Sequence, residues 1–140
     1  MNDMSNSPTG GNNNLAGDVI ALMNDLLGWQ EHIESAMRRI GNPYTFNDVV
    51  ASILRQQRQF YEFDGCCIIM EVQQYPQYKT YHCFLACGST AAILRAEPQI
   101  MAVAKELGCK GMTISGRVGW PRRLKNTGWK HIMSTLYKEV

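Results

Sequence analysis

From Pro98 to Tyr137 the chain switches between helical and strand periodicity, and this alternation limits what it can fold into. Ile100, Val103, Ala104 and Leu107 recur on one face of a helix that stops at Gly108. A strand run follows at 111–115 (GMTIS), then a helix over 121–127 stopping at Gly128, then a closing strand over 130–138. Pro98 suits the first position of its helix, where the missing amide hydrogen is not needed. The order reads as an α+β fold.

The upstream half supplies the rest of that fold. Leu15, Val19, Ile20, Met23, Leu26, Leu27, Ile33, Met37 and Ile40 recur at three- and four-residue intervals, the period of an amphipathic helix that Gly28 interrupts. Asn42-Pro43 stops it, because the residue before proline is pushed out of helical geometry. Thr45 starts the next helix, with its hydroxyl placed to cap the amide of Asp48. Aromatic and β-branched runs at 60–73 and 79–87, separated by a polar Pro-containing connection, read as two antiparallel neighbours. The expected organisation is a polar tail over 1–14, a helical arm over 15–42 and an α/β domain over 43–140. The tail, rich in Asn, Ser and Gly, cannot by itself offset the entropy of ordering, and a neighbouring subunit is its simplest clamp.

At 140 residues with 45% hydrophobic content the chain can bury one proper core. Its apolar stretches are too short to span a bilayer, and the N-terminal segment lacks the features of a secretion signal. Five cysteines, mostly in apolar runs, read as reduced thiols made in a cytoplasm. Charge is uneven. Residues 1–104 carry six basic against ten acidic side chains, whereas residues 105–140 carry eight against two. Such a basic block suits nucleic acid or an acidic protein surface.

The run AKELGCKGMTISGR…LKNTGWKH resembles the C-terminal half of the Gcn5-related N-acetyltransferases (GNATs), and the likeness extends back to about Thr45. It implies a GNAT-like, largely antiparallel mixed sheet with packed helices. In that family a Gly-rich turn opening the central helix cradles the acetyl-CoA pyrophosphate with backbone amides. Aligned here on Arg95, its two glycine positions fall on Pro98 and Ile100, and Glu97 adds negative charge. Proline donates no amide hydrogen and isoleucine blocks close approach. Aligned on Gly128-Trp129, the family's Asn, Ala and catalytic Tyr fall on Arg117, Trp120 and Leu124. On this alignment the cofactor site is degenerate and no cofactor is expected.

The phrase GRVGWPRRLKNTGW is also similar to small tailed-bacteriophage proteins with a GRxGW…L…GW signature. That resemblance implies a viral protein, and with the degenerate cofactor site, the N-terminal amphipathic helix, the polar tail and the basic C-terminal block it favours a non-catalytic virion assembly component, made in the host cytoplasm, acting with other phage proteins in a symmetric complex. Its expected interface residues are Leu15, Val19, Met23, Leu27, Arg117, Trp120, Arg122 and Arg123. Two alternatives stand beside it: an acetyl-CoA-dependent N-acetyltransferase, with Glu71 as a weak candidate base, and a DNA-binding accessory protein using the basic block. No metal site is expected. Cys83 and Cys87 would stand roughly 13 Å apart along a strand at ~3.3 Å per residue, too far for one zinc ion.

Overall fold

The computed structural model describes residues 15–116 and 119–140. The elements are α1 (Leu15–Gly28), α2 (Gln30–Arg39), α3 (Phe46–Leu54), β1 (Gln59–Phe63), β2 (Cys66–Gln74), β3 (Lys79–Gly88), α4 (Thr90–Glu106), β4 (Gly111–Ile114) and α5 (Trp120–Arg123). One four-stranded sheet has the order β1-β2-β3-β4. Its first three strands are antiparallel neighbours, and β4 lies parallel to β3. This is the α+β, mixed and largely antiparallel architecture expected. The tail at 1–14 and Arg117 lie outside the described residues.

Helices cover both faces. On one, Leu22 and Leu26 of α1, Ile33 and Met37 of α2, and Val49 and Ile53 of α3 pack with Phe60, Ile69 and Leu85 of the sheet. The helices expected to form a separate arm therefore belong to the core. Each such fully buried aliphatic side chain contributes about 1.5–3 kcal/mol. The buried stripe of α1 runs through Leu22 and Leu26, so Val19 and Leu27 remain exposed while Met23 packs partly against the core. Thr45 caps α3 as expected. Its hydroxyl accepts from the amide of Asp48, whose carboxylate accepts from the amide of Thr45. These bonds to Thr45 hold the Asp48 carboxyl below the usual carboxylate range.

On the other face α4 lays Ala92, Ala96, Ile100 and Ala104 against Tyr61, Ile68, Met70 and Tyr81. Alanines at 92, 96 and 104 on one helix face let the helix sit close to the sheet. The helix begins eight residues before Pro98. Ser89 is its N-cap, with its hydroxyl accepting from the amide of Ala92 at 3.0 Å. Pro98 therefore lies inside α4 on its exposed side, and Ile100 is buried against the sheet. Solvent on the proline side can satisfy the carbonyl that loses its helical partner, so the ring is accommodated there.

Three other expectations are corrected. The run 60–73 is two strands, because Asp64-Gly65 makes a tight hairpin turn with Gly65 at φ +89°. The helix expected over 121–127 is only one turn, Trp120–Arg123. Residues 130–138 form no strand.

Candidate functional site

The site is built where β3 and β4 part. They pair from Thr80↔Gly111 to Cys83↔Ile114, and there the ladder ends while β3 continues to Gly88. The next residue, Phe84, is a β-bulge: in the pairing with β2, Ile69 faces Leu85 and Met70 faces Cys83, leaving Phe84 without a partner. A bulge bends its strand and increases the local twist, which carries the rest of β3 away from β4. It also reverses the alternation of faces. Tyr81 and Cys83 point to α4, whereas Leu85 and Cys87 point to α1–α3. Burial pushes the Cys83 thiol up to about 12, so it packs as a neutral group.

The split opens a cleft of about 320 Å³. One wall is β3 beyond the bulge, from Phe84 to Gly88. A second is Ile114–Gly116 with Trp120, and α2 closes it with His32, Ser35, Ala36, Arg39 and Ile40. Beyond Cys83, the side of β3 facing the cleft has no strand neighbour among the described residues. At the far end stands the N-terminus of α4. Two contacts fix it there: the amide of Ser89 donates to the carbonyl of Gly65 at 3.3 Å, and Gly88, at φ +115°, lies against the same turn. A Cβ on Gly88 would stand 2.2 Å from the Gly65 oxygen, so only glycine fits. Arg123 Nη1 donates to Thr90 Oγ1 at 3.4 Å, which sets a guanidinium beside the first residue of α4.

At the base of the split, one rung before the ladder ends, His82 lies opposite Thr113. His82 Nδ1 and Thr113 Oγ1 are 2.7 Å apart. Burial lowers the affinity of this imidazole for protons. Glu71 raises it and Arg58 lowers it, both more weakly. The ring is therefore neutral at neutral pH and able to take a proton.

Glu71 faces His82 across β2 and β3 but is committed elsewhere. Arg58 Nε donates to its Oε1 at 2.9 Å, and Gln73 Nε2 donates to its Oε2 at 3.3 Å. The same guanidinium lies 3.8 Å from the centroid of the Phe84 ring and 4.9 Å from that of Tyr44. Arg58 thus ties the bulge to β2, and Glu71 holds Arg58 in place.

The other sequence-derived residues divide clearly. Arg95, Pro98 and Ile100 belong to the body of α4 and not to a turn that opens it. Arg95 lines a separate open depression of about 360 Å³ with Glu62, Asp64 and Gln99. Trp120 does line the cleft, its indole near the glycine at 116. Arg122 and Arg123 are exposed on α5, and Leu124 is buried. Leu15 is the first residue of α1. Sequence reasoning missed the pairing of His82 with Thr113 and the helix start at Ser89-Thr90. Only the last had a local signal, since Ser before an Ala-Ala-Ile-Leu run is an N-cap pattern.

No protein-family model matches the chain, and no curated protein matches it. Solved structures do. A probable acetyltransferase superposes with a TM-score of 0.60 at 9% identity, covering 84% of this chain and 91% of that one. A GNAT family acetyltransferase from Staphylococcus aureus gives 0.52 at 12% identity, covering 84% and 93%. The ribosomal-protein-alanine N-acetyltransferase of Brucella melitensis biovar Abortus gives 0.55 at 11%, covering 84% and 92%. The fold is that of the GNAT acetyltransferases. Coverage of this breadth takes in more than the two-thirds of the chain that begins at Thr45, so the GNAT-like fold includes helical residues ahead of it.

Proposed function

We propose that the chain is an acetyl-CoA-dependent N-acetyltransferase whose donor lies in the cleft between β3 and β4. One observation carries this reading: parallel strands part at a bulge, and the gap leads to the capped N-terminus of a long helix. The residues fit such a donor at both ends. Beside the Ala92 amide that Ser89 caps, the amides of Thr90 and Ala91 have no partner within the helix, and Arg123 stands beside Thr90, so an anionic diphosphate meets N–H donors, a helix dipole and a guanidinium. Past the end of the β4 ladder, Phe84 and Ala86 of β3 offer backbone groups to the amides of a pantetheine arm, as an edge strand does to an added strand. The mismatch inferred from Pro98 and Ile100 does not arise, because both lie well inside α4.

Acetyl-CoA would supply a thioester carbonyl carbon open to attack by an amine. Neutral His82, oriented by Thr113, takes the proton that the amine must lose. Arg58 holds Phe84 in the bulge and so keeps the strands apart at the reacting end. Leu124 is buried and has no proton to give, and no tyrosine lines the cleft among the described residues. Proton return to the leaving thiolate therefore falls to water or to His82 itself.

The test is thiol release from acetyl-CoA with a panel of primary amines and peptide N-termini. Turnover that requires His82 supports the reading. A folded chain that neither binds nor turns over acetyl-CoA removes it. The virion-assembly reading rests on the GRxGW…L…GW signature together with the N-terminal helix, the polar tail and the basic C-terminal block, and mass spectrometry of purified particles tests it separately.

A further inference from the structure

Residues 130–138 carry the alternation of a strand but pair with no strand among the described residues. Ile132 and Leu136 would fall on one face, with Met133 and Tyr137 on the other. A strand apolar on both faces suits a sheet covered by helices on both sides, which is the sheet this chain builds. Instead these side chains stand in solvent, Leu136 at 93% and Tyr137 at 87% exposure. The start of the segment is anchored. Leu124 is buried, and Trp129 Nε1 donates to Glu97 Oε1 on α4 at 2.9 Å.

The complementary feature is the outer edge of β4. It is the last strand of the sheet, and among the described residues nothing pairs with its free side. Open edges attract strands from other chains unless they are blocked. β1 provides the other edge, but Trp29 Nε1 already reaches Glu62 there at 2.8 Å, from the α1–α2 junction.

We propose that residues 130–138 add as a strand to the open edge of β4 in a second copy of this chain, each copy giving its segment to the other. A two-fold exchange satisfies both features in both chains. The area supports two copies. Four large apolar side chains at about 80 Å² each, with equal area on the receiving surface, give roughly 1,300 Å² for a reciprocal pair. That lies within the ~1,200–2,000 Å² of stable interfaces. The proposal stands apart from acyl transfer, since the segment does not line the cleft.

Sedimentation velocity on the full chain over a dilution series tests it, together with amide hydrogen exchange. The expected result is a dimer that dissociates on dilution, with protection at 130–138 that appears only in the dimer and protection at 111–114 that rises above the level its pairing with β3 gives the monomer. The double variant Leu136→Asp, Tyr137→Asp should be monomeric with unchanged circular dichroism. A monomer at all concentrations, a dimer that survives the double variant, or protection at 59–63 in place of 111–114 would overturn it. So would protection of 130–138 in the monomer, which would mean that the segment folds onto its own edge. The exchange measurement needs no variant.

Discussion

The imidazole of His82 and the hydroxyl of Thr113 meet at 2.7 Å across two parallel strands, one rung before those strands part. Burial keeps the ring neutral, and Thr113 fixes its orientation. His82→Ala is therefore expected to lower kcat for acetyl transfer by about 10²–10⁴-fold, the usual worth of a positioned base, with little change in KM for acetyl-CoA. Steady-state kinetics on the folded variant checks this.

The same group sets a pH dependence. Its folded affinity for protons is below the ordinary value of 6.5, so the neutral ring is the form the fold favours. Its contribution to stability is complete above pH 6.5 and is lost as pH falls through the lowered folded value. Activity is expected to fall on that acid limb as well. A pH profile of kcat, with melting measured in parallel, separates protonation of the base from unfolding.

Gly88 positions the far end of the cleft. Its φ of +115° and the 2.2 Å approach of a Cβ to the Gly65 carbonyl leave no place for a side chain. Gly88→Ala is expected to destabilise the fold by about 2–4 kcal/mol, since backbone strain and overpacking add. Denaturant unfolding reads the loss directly. A variant as stable as the parent would show that the α4 junction is not held as described.

Pro98 separates the two placements of the donor site. In the interior of α4 it deprives the helix of one backbone hydrogen bond and faces solvent. Pro98→Ala is expected to raise stability by about 1–2 kcal/mol, part of the helical gain being offset by the freer unfolded chain. Affinity for coenzyme A should not change. A large change in affinity would return the site to the 95–100 region.

Some of this was legible in the residues themselves. Thr45 and Asp48 are three apart and cap α3 through contacts a reader can foresee. The class of fold followed from runs whose period changes along the chain. The start of α4 was misread because two local signals competed: Pro98 suits a first helical position, yet Ser89 caps the helix nine residues earlier. The proline is tolerated only because it faces water, and facing is a tertiary property. The Asp64-Gly65 turn was hidden within a continuous apolar run, although that dipeptide is itself a hairpin signal. His82 and Thr113 lie 31 residues apart and meet only through the parallel register of β3 and β4. No spacing rule in one chain encodes that register.

Calorimetric titration of the folded chain with coenzyme A bears most directly on the cleft between β3 and β4. The expected result is saturable binding at one molecule per chain, weakened by Arg123→Ala and left intact by Pro98→Ala. A folded chain that gives no saturable heat with coenzyme A would contradict it.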